Sequence, residues 1–363
     1  MAQEGTAALD APRGPPHRVA VDNLAHALVG AALGRAVADR HVPRAATIGA
    51  VAANIPDLAE MFTGYLGWSR ADFLAYHRGI THSLAGAAVE IVVLILIVGF
   101  IVRPAPWRWV TLLVAVTLLS HLFMDWQGSY GWRPFLPWNA TWYYLDWVAI
   151  ADPFFWLVPL VALAWGANRH WRPLLATLLG GSVITLVIIR YLDNGGSVSP
   201  WVLPLCGAIA VVAVIGWIRF WFGPVLRQQL ATAAVLLLAL YTIAQAVAVQ
   251  HVKDVIRQEA VQRFGPAARW AALTKVGEPF TWEPMYASPD TVIGDAWQLA
   301  RNLRLPPVAQ ALGTPDGRAI ARFARFLTAR VDTTGRAVYL WDSRYSHGSP
   351  GWAAVQIRME SLR

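Results

Sequence analysis

The run His77-Arg78-Gly79-Ile80-Thr81-His82-Ser83, followed directly by LAGAAVEIVVLILIVGFIV at 84–102, decides how the whole chain is read. The apolar run is long enough to cross a hydrocarbon core of about 30 Å, which takes roughly 20 helical residues. The polar septet ahead of it therefore belongs at a membrane surface. Working outward, apolar stretches of comparable length fall near 107–124, 148–167, 173–191, 201–222 and 229–250. Two weaker segments, 24–38 and 45–62, contain Gly30, Gly34, Gly49 and Pro56, which suits tightly packed or re-entrant helices. The expected fold is an all-α polytopic membrane helical bundle with six to eight membrane helices.

Composition agrees. Of 363 residues 56% are hydrophobic and only 14% charged, against about a quarter charged in soluble domains. The formal net charge is +8, but no basic run exists, so nucleic acid is not an expected partner; membrane lipid is. No feature names a protein partner. Cys206, the only cysteine, lies in an apolar run, which excludes a disulfide framework or a cysteine-rich zinc module. The first 22 residues lack a charged segment followed by a long apolar core, so no cleavable signal peptide is expected there.

From about residue 251 the pattern changes to short mixed segments, and alternation such as Arg336-Ala337-Val338-Tyr339-Leu340-Trp341 predicts strands. The expected organisation is an N-terminal segment at 1–22, a membrane domain with the polar motifs at 23–160, further membrane helices at 161–250 and a small soluble α+β domain at 251–363. Arg35, Arg40, Arg44, Arg103, Arg108, Arg169, Arg172, Arg219 and Arg227 fall in alternate turns of an eight-helix arrangement, which should face the cytoplasm. The opposite turns, 63–83, 125–147 and 192–200, and the C-terminal domain should then face the periplasm.

Ionisable residues in or near spans are costly and usually functional. In this antiparallel arrangement His26, Asp57, His77, His82, His121, Asp125 and Asp146 all reach one end of the bundle, as does Asp152. His121 and Asp125 are spaced i, i+4 and share a helix face. His77 and His82 are five residues apart, so a continuous helix would separate them. Gly79 permits a turn, after which Thr81 or Ser83 can cap the next helix. Imidazoles mixed with carboxylates suit zinc, or manganese, as one or two ions. Arg78 is placed to neutralise an anionic substrate, and with Asp125 is the predicted catalytic pair. Asp57 also reads as a helix-ending turn residue, Asp146 as an interfacial one, and Asp152, before Pro153, as a turn or kink residue.

At these residues the chain resembles the bacterial predicted membrane-bound metal-dependent hydrolases, a family that includes a LexA-regulated inner-membrane member. The likeness covers roughly 22–160. It is carried by His26 followed by Gly30, by Pro56-Asp57, by the septet 77–83, and by Ser120-His121 with Asp125. Pro134 to Trp138 and Asp146 stand where the family has a proline-containing loop and then a carboxylate. The resemblance implies that the His and Asp positions ligate metal, supported by Arg78, Thr81 and Ser83. It also implies a site similar to those of the zinc-dependent phospholipase C and P1 nuclease group. One departure is plain: the family's second acid, in P-D-x-D, is missing from Pro56-Asp57-Leu58-Ala59-Glu60. Either Glu60 substitutes, or a second metal is weaker, or one metal is held.

The expectation is a multi-pass bacterial inner-membrane hydrolase acting on a phosphoester or lipid at the outer interface. The alternatives are a metal or proton transporter and a non-catalytic scaffold with a structural metal.

Overall fold

The computed structural model describes residues 19–58, 67–167, 175–176, 178–182, 199–219, 224–346 and 350–362. The membrane part is helical, with principal helices Val19–Ala38, Ala45–Ala52, Arg70–Tyr76, Leu84–Ile101, Trp107–Gln127, Pro153–Trp165, Val202–Arg219 and Pro224–Phe264. Three candidate spans, Leu84–Ile101, Trp107–Gln127 and Val225–Phe264, are long and apolar enough to cross a membrane.

Among the described residues these three stand where six to eight were predicted. Local features shorten or interrupt other predicted spans. The 148–167 stretch turns helical only at Pro153, because Asp152 caps the helix by accepting from the Phe154 N–H at 2.8 Å, leaving thirteen helical residues. In the 45–62 stretch the helix Ala45–Ala52 ends after eight residues, before Pro56, and 59–62 lie outside the described residues. Val19–Ala38 has the length but carries Asp22, Asn23, His26 and Arg35. Most of the predicted 173–191 span lies outside the described residues, as do Arg169 and Arg172.

Val19–Ala38 and Ala45–Ala52 pack backbone to backbone. A Cβ on Gly49 would stand 2.2 Å from the Gly30 carbonyl oxygen, and one on Gly34 would stand 2.3 Å from that of Ala45. This approach carries Asp57, just beyond the second helix, toward His26 on the first. Gly49→Ala should lower stability by about 1–3 kcal/mol through overpacking. The readout is the thermal midpoint in detergent, and an unchanged midpoint would contradict the contact.

Arg35 and Arg227 lie at the far end of the bundle from the polar motifs. Arg35 donates to the Ala162 and Leu163 carbonyls at 3.3 and 3.2 Å, and Arg227 stands 3.9 Å from Asp39. His26 lies nine residues before Arg35, about 13 Å along the helix axis.

Pro224–Phe264 runs 41 residues, about 60 Å, twice the depth of a hydrocarbon core. The predicted change at 251 thus falls inside a continuous helix, since 251–264 contains neither Gly nor Pro. Gly265 ends it at φ +82, its N–H bonding the Val261 carbonyl at 2.9 Å. Beyond it, β1 (Arg269–Thr274), β2 (Trp282–Ala287), β3 (Thr291–Ile293) and β4 (Gln298–Ala300) form one antiparallel sheet in chain order. β5 (Leu327–Asp332), β6 (Ala337–Asp342) and β7 (Ala354–Arg358) form a second. Helices Pro306–Leu312 and Pro315–Phe323 join them. The strand predicted from 336–341 is β6, with Arg336 in the preceding turn at φ +47.

This C-terminal unit sits on the membrane domain's loops. Phe73, Leu74 and Tyr130 share a buried core with Val308, Ile320, Phe323 and Leu340.

Candidate metal centre

The septet 77–83 is built to turn sharply. Ser69 and Asp72 form a capping box that starts Arg70–Tyr76, which ends at His77. The residue that takes the left-handed conformation is Arg78, at φ +50, and not Gly79, at φ −79. Gly79 is still required, because a Cβ there would meet the Tyr76 carbonyl oxygen at 2.5 Å. His82 lies in a 3-10 turn, Ile80–His82, ahead of the helix, and Ser83 is the N-cap, its Oγ accepting from the Gly86 N–H at 3.0 Å.

That turn brings His82 against the end of Trp107–Gln127. His82 Nε2 stands 3.1 Å from His121 Nε2, 2.9 Å from Asp57 Oδ1 and 3.4 Å from Asp125 Oδ2. His121 Nε2 lies 3.7 Å from Asp57 Oδ1 and 3.6 Å from Asp125 Oδ2. His26 Nε2 lies 3.5 Å from Asp125 Oδ1, and its ring packs on that of His121 with centroids 3.9 Å apart. Five side chains from four segments thus converge, all buried. His26, Asp57 and His121 form one grouping of the kind that can hold a metal ion, and His82, His121 and Asp125 another.

The remaining atoms of these side chains are engaged in ways that aim the donors inward. His121 Nδ1 donates to the Ala53 carbonyl at 2.7 Å, so in the neutral ring Nε2 bears the lone pair. Thr81 Oγ1 lies 3.1 Å from His82 Nδ1. Asn23 donates to Asp57 Oδ2 at 3.0 Å, leaving Oδ1 for the imidazoles. Arg78 Nη2 pairs with Asp125 Oδ1 at 2.7 Å, while Asp125 Oδ2 is buried with no hydrogen-bond partner among the described residues. Four donors about 2.0–2.1 Å from a tetrahedral ion stand about 3.3 Å apart, and the separations here bracket that figure.

Arg78 is more committed than the sequence suggested. Its Nη1 also donates to the carbonyls of Asp125 and Gly131, both at 3.1 Å, and its guanidinium lies 4.5 Å from the Tyr130 ring centroid. It clamps Asp125 to the 128–134 loop instead of reaching toward an open site.

Two predicted ligands lie outside both groupings. His77 packs between Phe73 and Tyr130, with ring centroids 4.7 and 4.8 Å away. The turn at Arg78 sends it to the other side from His82. Asp146, at φ +50, accepts from Arg325 Nη1 on both carboxylate oxygens at 3.0 Å. The C-terminal unit therefore takes the carboxylate that the sequence offered to the metal. Asp152 is the helix cap described above and also accepts from the Tyr241 hydroxyl at 2.5 Å. Glu60 lies outside the described residues.

The structure adds residues that sequence reasoning passed over. Arg133 donates to the carbonyls of Ala75, His77 and Arg78 at 3.1, 3.1 and 3.3 Å, and the Trp132 indole donates to that of His82. Together they hold the septet in its turn. Asn23, one turn before His26, is visible in sequence only as a polar residue on the same helix face. Glu90 had a plain signal, an acid inside the apolar run 84–102. Its Oε2 is buried with no hydrogen-bond partner among the described residues, within electrostatic range of His82 and Asp57.

Above the loops, Arg344 donates to the Ser129 and Tyr130 carbonyls at 2.6 and 3.1 Å and pairs with Asp342 at 2.7 Å. Burial is the largest single influence and works against the Arg344 charge, but Asp342, Tyr345 and Tyr144 together outweigh it and hold the guanidinium above its ordinary pKa. The C-terminal unit is thereby anchored to the segment that Arg78 also grips.

Residues 21–195 match the YdjM inner membrane protein family. No curated protein and no solved structure shows significant similarity to the chain. The YdjM match and the apolar helices support a membrane location. The matched segment contains His26, Asp57, His82, His121 and Asp125, whereas the C-terminal unit that covers their loops lies beyond it.

Proposed function

We propose that the chain is a membrane-embedded, metal-dependent hydrolase whose ion is held by His26, Asp57, His82, His121 and Asp125. The observation that carries this reading is the inward lone pair of His121 Nε2, facing a second imidazole and two carboxylates. With neutral imidazoles, two carboxylates against the single guanidinium of Arg78 leave one buried negative charge, which a cation neutralises. His121 belongs to both groupings yet has one free nitrogen, which favours a single ion over two.

A bound zinc or manganese ion would supply Lewis acidity and an activated water near neutral pH. The protein's own contribution is orientation. Asn23 and Arg78 each occupy one oxygen of a carboxylate and turn the other inward, and the Ala53 carbonyl selects the His121 tautomer. Glu90, within electrostatic range of His82 and Asp57, would take the part of the missing second acid. The substrate proposed is a phosphoester or lipid at the membrane interface. The arginine-rich opposite end supports a periplasmic placement of the centre and the C-terminal unit.

The test is metal analysis of the purified full-length protein beside a panel of phosphoesters and phospholipids. About one equivalent of zinc or manganese is expected, with turnover abolished in Asp125→Asn. Metal-free protein that zinc or manganese neither binds nor activates would sink the proposal. Burial of all five donors favours a second reading, a structural ion in a non-catalytic scaffold. Bound metal without turnover of any substrate would select it.

A further inference from the structure

A pocket of about 430 Å³ opens where the C-terminal unit meets the loop that leads to Asp146, and Trp142, Tyr144, Arg269, Trp270, Arg322 and Arg325 line it. No acidic side chain is in the lining. Arg325 is already neutralised by Asp146 and lies over the Tyr144 ring, 4.2 Å from its centroid. Arg269 and Arg322 are different. Both are exposed, and among the described residues their side chains enter no hydrogen bond, ion pair or ring contact. Two guanidiniums lining one pocket with no acidic side chain in the lining make its local potential attractive to an anion.

We propose that this pocket is a phosphate-binding site for a molecule that carries its phosphate on a planar or apolar group. Arg269 and Arg322 supply two positive charges and paired N–H donors, which matches a phosphate dianion better than a singly charged carboxylate. Trp270 and Trp142, whose ring carries the Arg133 guanidinium 4.5 Å from its centroid on one side, supply aromatic surface for the rest of the ligand. The Trp142 indole donates to the Arg322 carbonyl at 2.9 Å, so aromatic wall and cationic residue are held together. The inference stands apart from the metal centre, which uses none of these residues.

The chemistry is shared by a phospholipid headgroup and a soluble phosphate compound, so two probes are needed. Phenylphosphonate has no ester bond to cleave, and dihexanoyl phosphatidic acid presents the lipid form. Calorimetric titration of the full chain in neutral detergent at low ionic strength should show saturable binding of at least one. In an Arg269→Gln/Arg322→Gln double variant the affinity should fall roughly tenfold or more, and added salt should weaken it in the parent. Both side chains are exposed, so the fold is expected to survive; circular dichroism checks this, and an Arg269→Lys/Arg322→Lys variant should recover part of the binding. Binding of both probes means that phosphate is recognised whatever its source; binding of one alone names the source. Absence of saturable binding by either probe, or a double variant within about tenfold of the parent, overturns the proposal.

Discussion

Purified His121→Ala protein should retain less than about a tenth of the metal found in the parent, because the variant removes the one donor common to both groupings. Thermal stability gives a second readout. A ligand that binds only the folded state at a hundred times its dissociation constant stabilises by about 2.7 kcal/mol, so zinc should raise the midpoint of the parent and leave that of His121→Ala unmoved. His77→Ala is the internal control. His77 packs against Phe73 and Tyr130, so its loss should lower stability without removing the ion. Equal metal in His121→Ala and the parent, or loss in His77→Ala alone, would refute the arrangement.

Arg78→Met should be the most destabilising of the single changes considered. It leaves the buried Asp125 carboxylate without the guanidinium 2.7 Å away and removes donors from two carbonyls. Breaking a buried pair from one side costs about 3–5 kcal/mol, which lowers the thermal midpoint by roughly 10 °C in a chain of this size. Metal affinity should fall about 10- to 100-fold as well, since Asp125 is no longer held with Oδ2 inward. Arg78→Lys restores the charge but not the forked contact, so it should recover only part of either loss. A variant that melts and loads metal like the parent would show that the clamp does not hold Asp125.

The elements of the centre differed in how readable they were. His121 and Asp125 share a face because helix geometry obliges residues four apart to do so, and their pairing was legible from spacing alone. Asp57 followed from antiparallel crossing. The choice between His77 and His82 was not legible. It depends on a left-handed Arg78, a conformation that the neighbouring glycine made easy to misassign. Asp146 looked like a ligand because it lies near the right membrane level, and only folding shows that Arg325, 179 residues away, claims both its oxygens. Glu90 stood in the first run quoted and was overlooked because the run was taken for its hydrophobicity.

By itself the sequence determined that the chain has membrane-spanning helices, that its His and Asp motifs gather at one end of the bundle, and that a sheet-containing unit follows. These follow from apolar length, charge placement and periodicity, properties local to each segment. Only the tertiary structure decided which donors meet, which carboxylate is diverted, and that the C-terminal unit covers the loops of the centre. Those outcomes rest on contacts between residues tens to hundreds of positions apart, where close backbone packing at Gly30 and Gly49 and the competition of Arg78, Arg133, Arg325 and Arg344 for carbonyls and carboxylates select one arrangement from many with the same local pattern.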